Sequence, residues 1–196
     1  MKKAKTLSDS QFSKLFKYTG NNNHGLRNQT ILVMSFKCGL RAKELASLKI
    51  SDVMNDENKI KEELQLLKSY TKGDKHRTIY LTNTKVRKIL LEWINFRMIT
   101  DNNLFSLDAP LFKSQKGYHF SANSMAQLVS RILKNAGAEF QDCSSHSGRR
   151  TLITNMVNNG ISVNKVQKIA GHSNIATTME YVDTNSVDLA NIMKNI

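Results

Sequence analysis

The sequence predicts an α+β fold, mostly α-helical, with one small antiparallel β-sheet near residues 50–82. Three observations predict it. Two stretches carry apolar residues at helical spacing: Val86, Ile89, Leu90, Trp93 and Ile94, then Met125, Leu128, Val129, Ile132 and Leu133. From Glu62 to Leu81 the pattern changes to short aliphatic runs on either side of a polar turn, which suits paired strands. A single proline, Pro110, and scattered glycines mark no linker, so residues 1–196 are expected to form one domain.

Each element has its own local reason. Ser8-Asp9-Ser10-Gln11 has the spacing of a helix cap, ahead of Phe12, Leu15 and Phe16. Ile31 to Phe36 is a dense apolar run that suits a buried helix, ended at Cys38-Gly39 where glycine can close the C-terminus. Glu44, Leu45 and Leu48 suggest a short helix after Arg41. Leu64, Leu66, Ser69 and Tyr70 lead into Gly73-Asp74, and Thr78-Ile79-Tyr80-Leu81 follows, a hairpin with Lys72 near its tip. A helix over Ser121–Asn135 ends by Gly137, another runs from Arg149 to Asn158, and Val182–Ile196 should form a short apolar helix.

Charge narrows the class of function. The chain has 29 Lys and Arg against 16 Asp and Glu, a net charge of +13, and a field of that sign recruits polyanions such as a nucleic-acid backbone. Met1-Lys2-Lys3-Ala4-Lys5 is followed by the polar Leu7-Ser8-Asp9-Ser10-Gln11 rather than an apolar run, which argues against a secretory leader. No stretch approaches the roughly 18–20 apolar residues of a bilayer span. Cys38 and Cys143 form neither a metal-type pair nor a disulfide scaffold, so a reduced, cytoplasmic protein without membrane, metal or cofactor is expected.

The chemistry concentrates in His146-Ser147-Gly148-Arg149, then Gly171-His172, then Tyr181 nine positions on, with Gly39-Leu40-Arg41-Ala42-Lys43-Glu44 and Thr71-Lys72-Gly73 upstream. Attack on a phosphodiester builds negative charge on the non-bridging oxygens, and preorganised donors lower that barrier. Arginine suits the task because its fork stays protonated and binds two phosphate oxygens at once. Taken singly, an arginine, histidine or tyrosine is more often a surface or packing residue; the set together is what carries the reading.

The order Arg41, Lys72, His146-x-x-Arg149, Gly171-His172, Tyr181 resembles the catalytic domain of the tyrosine recombinases, the phage integrase family, and the resemblance covers Leu7 to the C-terminus. It implies an enzyme that cuts and rejoins double-stranded DNA through a 3′-phosphotyrosyl intermediate, without metal or ATP. Tyr181 would be the nucleophile and Arg41 and Arg149 the phosphate clamp. His172 would donate to a non-bridging oxygen, and His146 would assist proton movement at the tyrosine. Lys72 would be the general acid for the departing 5′ oxygen, with Lys68 and Lys75 as fallbacks. Glu44 resembles the family's acidic partner of Arg41, although an ordinary ion pair has the same spacing. The family also implies a homo-tetramer on paired DNA sites, with C-terminal tails exchanged between subunits.

The chain departs from the family in two ways. Where leucine often precedes the second arginine and histidine follows it, this sequence has Gly148 and Arg150, the latter an added cation beside the phosphate. The residues before Arg41 are too few for the N-terminal DNA-clamping domain of most members, so none is expected, as in short members such as the fimbrial-switch recombinases. Asn123, Gln127, Arg131 and Lys134 form a polar stripe suited to base edges and phosphates; a solvated helix face would show the same stripe. Two alternatives remain: a type IB topoisomerase, which reseals the same strand, and a non-catalytic DNA-binding regulator on the same fold.

Overall fold

A computed structural model of the protein describes residues 4–70, 76–115 and 117–182. Lys72 and Lys75, and the expected tail helix beyond Val182, lie outside the described residues. The chain divides into two compact units, Met1–Leu152 and Ile153–Ile196.

In the first unit, Ser8 caps helix α1 (Asp9–Gly20): its hydroxyl accepts the Gln11 N–H while the Gln11 side chain accepts the Ser8 N–H. Helix α2 (Gly25–Cys38) is the centre of the unit, with Thr30 to Phe36 all buried. Gly39 ends it in the left-handed conformation, φ 68°, which a side chain rarely adopts. Short helices α3 (Ala42–Ser47) and α4 (Ile50–Val53) follow. Strands β1 (Glu63–Leu66) and β2 (Arg77–Tyr80) pair antiparallel, with Leu64 opposite Ile79 and Leu66 opposite Arg77.

The predicted class holds: helices dominate and the sheet has two strands. One expectation about the sheet fails. Lys68–Tyr70 is a 3-10 turn rather than the end of a strand. The strands therefore pair over only four residues each, and Ser69 and Tyr70 fall in the connection.

Helix α5 (Thr84–Asp101) buries Val86, Ile89, Leu90, Trp93 and Ile94, the stripe read from the sequence. Its lower end is also polar and buried. Arg97 donates to the Pro110 and Leu111 carbonyls and to Asp101, which Lys113 bonds as well at 2.7 Å, while the Trp93 indole N–H donates to Leu111 O. This ties the Pro110 segment, whose Leu111 N–H donates to Leu48 O, beneath α5. Helix α6 (Ala122–Asn135) packs Met125, Val129, Ile132 and Leu133 inward against α3. Both cysteines are free and buried; burial pushes the Cys38 thiol up to about 12 despite nearby Arg77, so it packs as a neutral group.

Helix α7 (Ser147–Asn158) begins two residues earlier than expected and runs across the boundary between the units. In the second unit lie α8 (Val163–Ala170), closed by Gly171, and the four-residue α9 (Ala176–Met179). No helix among the described residues is long and apolar enough to cross a membrane.

Candidate active site

The first unit gathers three of its arginines around one turn. Gly39 turns the chain out of α2, and Arg41 stands two residues later as the residue that starts α3. Glu44, on the first turn of α3, is completely buried. Its Oε2 accepts the Arg41 backbone N–H at 2.8 Å, and its Oε1 accepts Arg41 Nη1 at 2.7 Å. One carboxylate thus fixes both ends of Arg41, while the Arg41 side chain stays 25% exposed. The pairing expected for Glu44 is present, and on the Glu44 side it is buried rather than at the surface.

Arg149 reaches the same turn from α7. It is buried, and its Nη1 donates to the Gly39 carbonyl at 3.0 Å. Arg149 is the third residue of α7, still within the first turn, where peptide N–H groups and the helix dipole favour an anion. Gly148 explains the missing leucine. A Cβ there would lie 2.2 Å from Ser35 Oγ and 2.9 Å from Phe36 Cδ2, so only glycine lets α7 approach α2 this closely. Arg150 is half-buried, and His146 is exposed, with its carbonyl accepting the Arg150 N–H.

Sequence reasoning missed one member of this group. Arg77 on β2 is 6% exposed; its Nη2 donates to Glu44 Oε2 at 3.2 Å and to the Gly39 carbonyl at 3.3 Å. Burial and the neighbouring Arg41 lower its guanidinium pKa, Glu44 opposes them, and the value comes down to about 10. A signal was present: in Arg77-Thr78-Ile79-Tyr80 the strand alternation puts Arg77 on the same face as buried Ile79. A charge at an apolar register position needs a buried partner.

The second unit holds the histidine and tyrosine of the C-terminal motif. His172 follows the helix-ending Gly171, and its main chain is clamped by Gln167: the His172 N–H donates to Gln167 O, and Gln167 Nε2 donates to His172 O. The ring is set by Thr178, fully buried, whose Oγ1 lies 2.9 Å from His172 Nδ1. Tyr181 stacks against it, ring centroids 6.2 Å apart and 23° from parallel. Thr178 was read only as part of the motif; its role as the histidine's partner comes from the turn that α9 makes between them.

On α6, Asn123, Gln127, Arg131 and Lys134 are all exposed on the face away from the core. That is the stripe the sequence describes. Among the described residues, no group of three or more His, Cys, Asp or Glu side chains is arranged to hold a metal ion.

Known proteins share both sequence and architecture with this chain. The tyrosine recombinase XerC of Pelobacter propionicus is 30% identical over 163 residues, 83% of this chain and 49% of that protein. Transposase A from transposon Tn554 of Staphylococcus aureus is 28% identical over 175 residues, 86% of this chain and 46% of its own length. The chain therefore spans about half the length of these relatives. The Tn1549 transposon integrase, solved in complex with transposon right end DNA, superposes with a TM-score of 0.76 at 22% identity, covering 100% of this chain and 66% of that one. At that identity the likeness speaks for the fold. Residues 5–187 match the phage integrase family, and with that match over nearly its whole length the chain belongs to the phage integrase family.

Proposed function

We propose that this chain is the catalytic part of a site-specific DNA recombinase that cuts and rejoins double-stranded DNA through Tyr181. The observation that carries the reading is the buried anchoring of Arg41 and Arg149 at one turn, Arg41 through Glu44 and Arg149 through the Gly39 carbonyl. Two held guanidiniums are preorganised donors for a phosphate whose charge grows in the transition state. Membership of the family and the net charge of +13 support DNA as the substrate.

In this reading the Tyr181 phenolate attacks the scissile phosphorus. The P–O bond to the 5′ oxygen breaks, and Lys72 delivers a proton to that leaving oxygen. The product is a 3′-phosphotyrosyl ester and a free 5′ hydroxyl, and a 5′ hydroxyl of a partner strand reverses the step. One ester replaces another, so no ATP is consumed, and the guanidiniums supply the positive charge a metal would otherwise bring. A Thr178 hydroxyl donating to His172 Nδ1 leaves the proton on Nε2, which donates to a non-bridging oxygen. His146 takes up the Tyr181 proton as the attack begins, Arg150 adds a cation beside the phosphate, Asn123, Gln127, Arg131 and Lys134 face the DNA, and four copies assemble on paired sites in the cytoplasm.

The test is covalent trapping. A duplex selected from random sequence by binding to the protein is nicked next to each candidate scissile phosphate, so that the leaving strand diffuses away. Wild type should accumulate a protease-sensitive adduct, and Tyr181→Phe should bind the duplex equally and form none. An adduct that persists in Tyr181→Phe overturns the assignment. Transfer of the trapped strand to a second duplex, rather than back to its own, separates recombination from strand relaxation.

A further inference from the structure

Arg77 has no part in the proposed chemistry, yet it touches both anchors of the arginine clamp. We propose that Arg77 is a positioning residue for strand transfer, holding the Glu44 carboxylate and the Gly39 carbonyl so that Arg41 and Arg149 present their charge to the phosphate. The inference rests on the function proposed above and adds to it how the clamp keeps its field.

Three donors share the Glu44 carboxylate: the Arg41 N–H, Arg41 Nη1 and Arg77 Nη2. Two guanidiniums share the Gly39 carbonyl, those of Arg77 and Arg149. Arg77 is the one residue of the described group that bonds both acceptors, so it couples the Arg41 side to the Arg149 side. Arg41 and Arg149 come from distant parts of the sequence, at the starts of α3 and α7, and β2 carries the residue that links their supports.

Charge gives the second reason. Glu44 is completely buried, and a buried carboxylate facing Arg41 alone would cancel the charge meant for the phosphate. Arg77 supplies a second cation from the core side, so Glu44 is neutralised from behind and Arg41 keeps its field toward the site. Arg77 is itself 6% exposed and opposite Leu66 in the sheet, on the apolar side of the strand. A residue built only to pack would be aliphatic there.

The experiment uses the full chain with Arg77→Met, which keeps the length and removes the charge, and Arg77→Lys, which keeps the charge and removes the fork. Thermal denaturation establishes folding. In single-turnover adduct formation both variants should lose about a hundredfold in rate, the cost of a small misplacement of catalytic groups. The salt dependence of DNA binding should not change, because Arg77 touches no phosphate. In an Arg41→Lys background, Arg77→Met should cost little more, because both act through one clamp. Additive rate losses, or wild-type cleavage by a folded Arg77→Met, overturn the proposal. Should Arg77→Met not fold, Arg77→Lys carries the same comparison.

A measurement independent of chemistry separates this inference from the function itself. The guanidinium N–H resonances of Arg41 and Arg149, assigned through their lysine variants, should be resolved in wild type and lost to exchange in Arg77→Lys. Unchanged resonances overturn the positioning role, whereas a wild type that never forms the Tyr181 adduct overturns the proposed function and leaves the resonances to decide this one.

Discussion

Gly148→Ala is the substitution whose sign tests the packing of the arginine clamp. Helix propensity alone favours alanine over glycine by about 1 kcal/mol, so a simple reading of α7 expects stabilisation. The structure expects the reverse. The new methyl would lie 2.2 Å from Ser35 Oγ, 2.9 Å from Phe36 Cδ2 and 3.0 Å from the Ser35 carbonyl carbon. Contact at the first of these falls more than an ångström short of an ordinary van der Waals approach, and if the Ser35 hydroxyl turned away, the Phe36 ring and the Ser35 main chain would still lie too close. Overpacking of this kind costs about 1–3 kcal/mol. In a chain of this size each kcal/mol lowers Tm by roughly 2–4 °C. The rest of the strain relaxes if the start of α7 moves off α2, which carries Arg149 away from the Gly39 carbonyl it bonds at 3.0 Å. Adduct formation should then fall by about a hundredfold.

Ser35 supplies the control for that substitution. Its hydroxyl is buried and has no hydrogen-bond partner among the described residues, so Ser35→Ala alone should be neutral or stabilising by about 1 kcal/mol. The double variant should recover part of the loss, because the 2.2 Å contact disappears while the 3.0 Å contact remains. Thermal denaturation of the four proteins and their adduct rates measure this. A Gly148→Ala protein as stable and as fast as wild type, or a double variant whose effects simply add, refutes the reasoning.

The clamp itself should not tolerate lysine: Arg41→Lys and Arg149→Lys should each lower cleavage by about a hundredfold, since an ammonium cannot reproduce the fork, and the pair together should be less than additive. Single-turnover rates on trapped duplex check this. On α6, Asn123→Ala and Gln127→Ala should alter which site is bound by about 1–3 kcal/mol per lost base contact. Lys134→Ala should weaken all sites alike and flatten the salt dependence, and a binding selection returning one unchanged preferred sequence for both alanine variants ends the groove assignment. Acid tests the polar end of α5. Burial works to raise the Asp101 carboxyl, but hydrogen bonds and charge from Arg97 and Lys113 outweigh it and the net direction is down. A depressed carboxylate stabilises the fold above its unfolded pKa of about 3.9, and that stability is lost as pH falls through the lower, folded value. Asp101→Asn should cost about 3 kcal/mol near neutrality by leaving the buried Arg97 without its carboxylate. The difference in Tm between variant and wild type should shrink toward zero in strong acid; a constant gap across pH contradicts the assignment.

The sequence alone determined the features that a few neighbouring residues can encode. The Ser8–Gln11 box, the buried stripes of α5 and α6, and the Gly39 cap were all legible, because capping, periodicity and left-handed turns are settled within one or two helical turns. The Arg41–Glu44 pair was legible for the same reason, as Arg41 caps the short helix whose first turn carries Glu44. Tertiary structure decided the rest. That Arg77 joins the clamp, that two arginines share the Gly39 carbonyl, and that Gly148 is there to admit Ser35 each depend on segments far apart in the chain. The 3-10 turn at Lys68–Tyr70 and the start of α7 at Ser147 were likewise misread from local pattern. Short-range propensity fixes which elements form; which buried charges meet between them is fixed by packing, because a carboxylate with no water must take its partners from whatever the fold brings within reach.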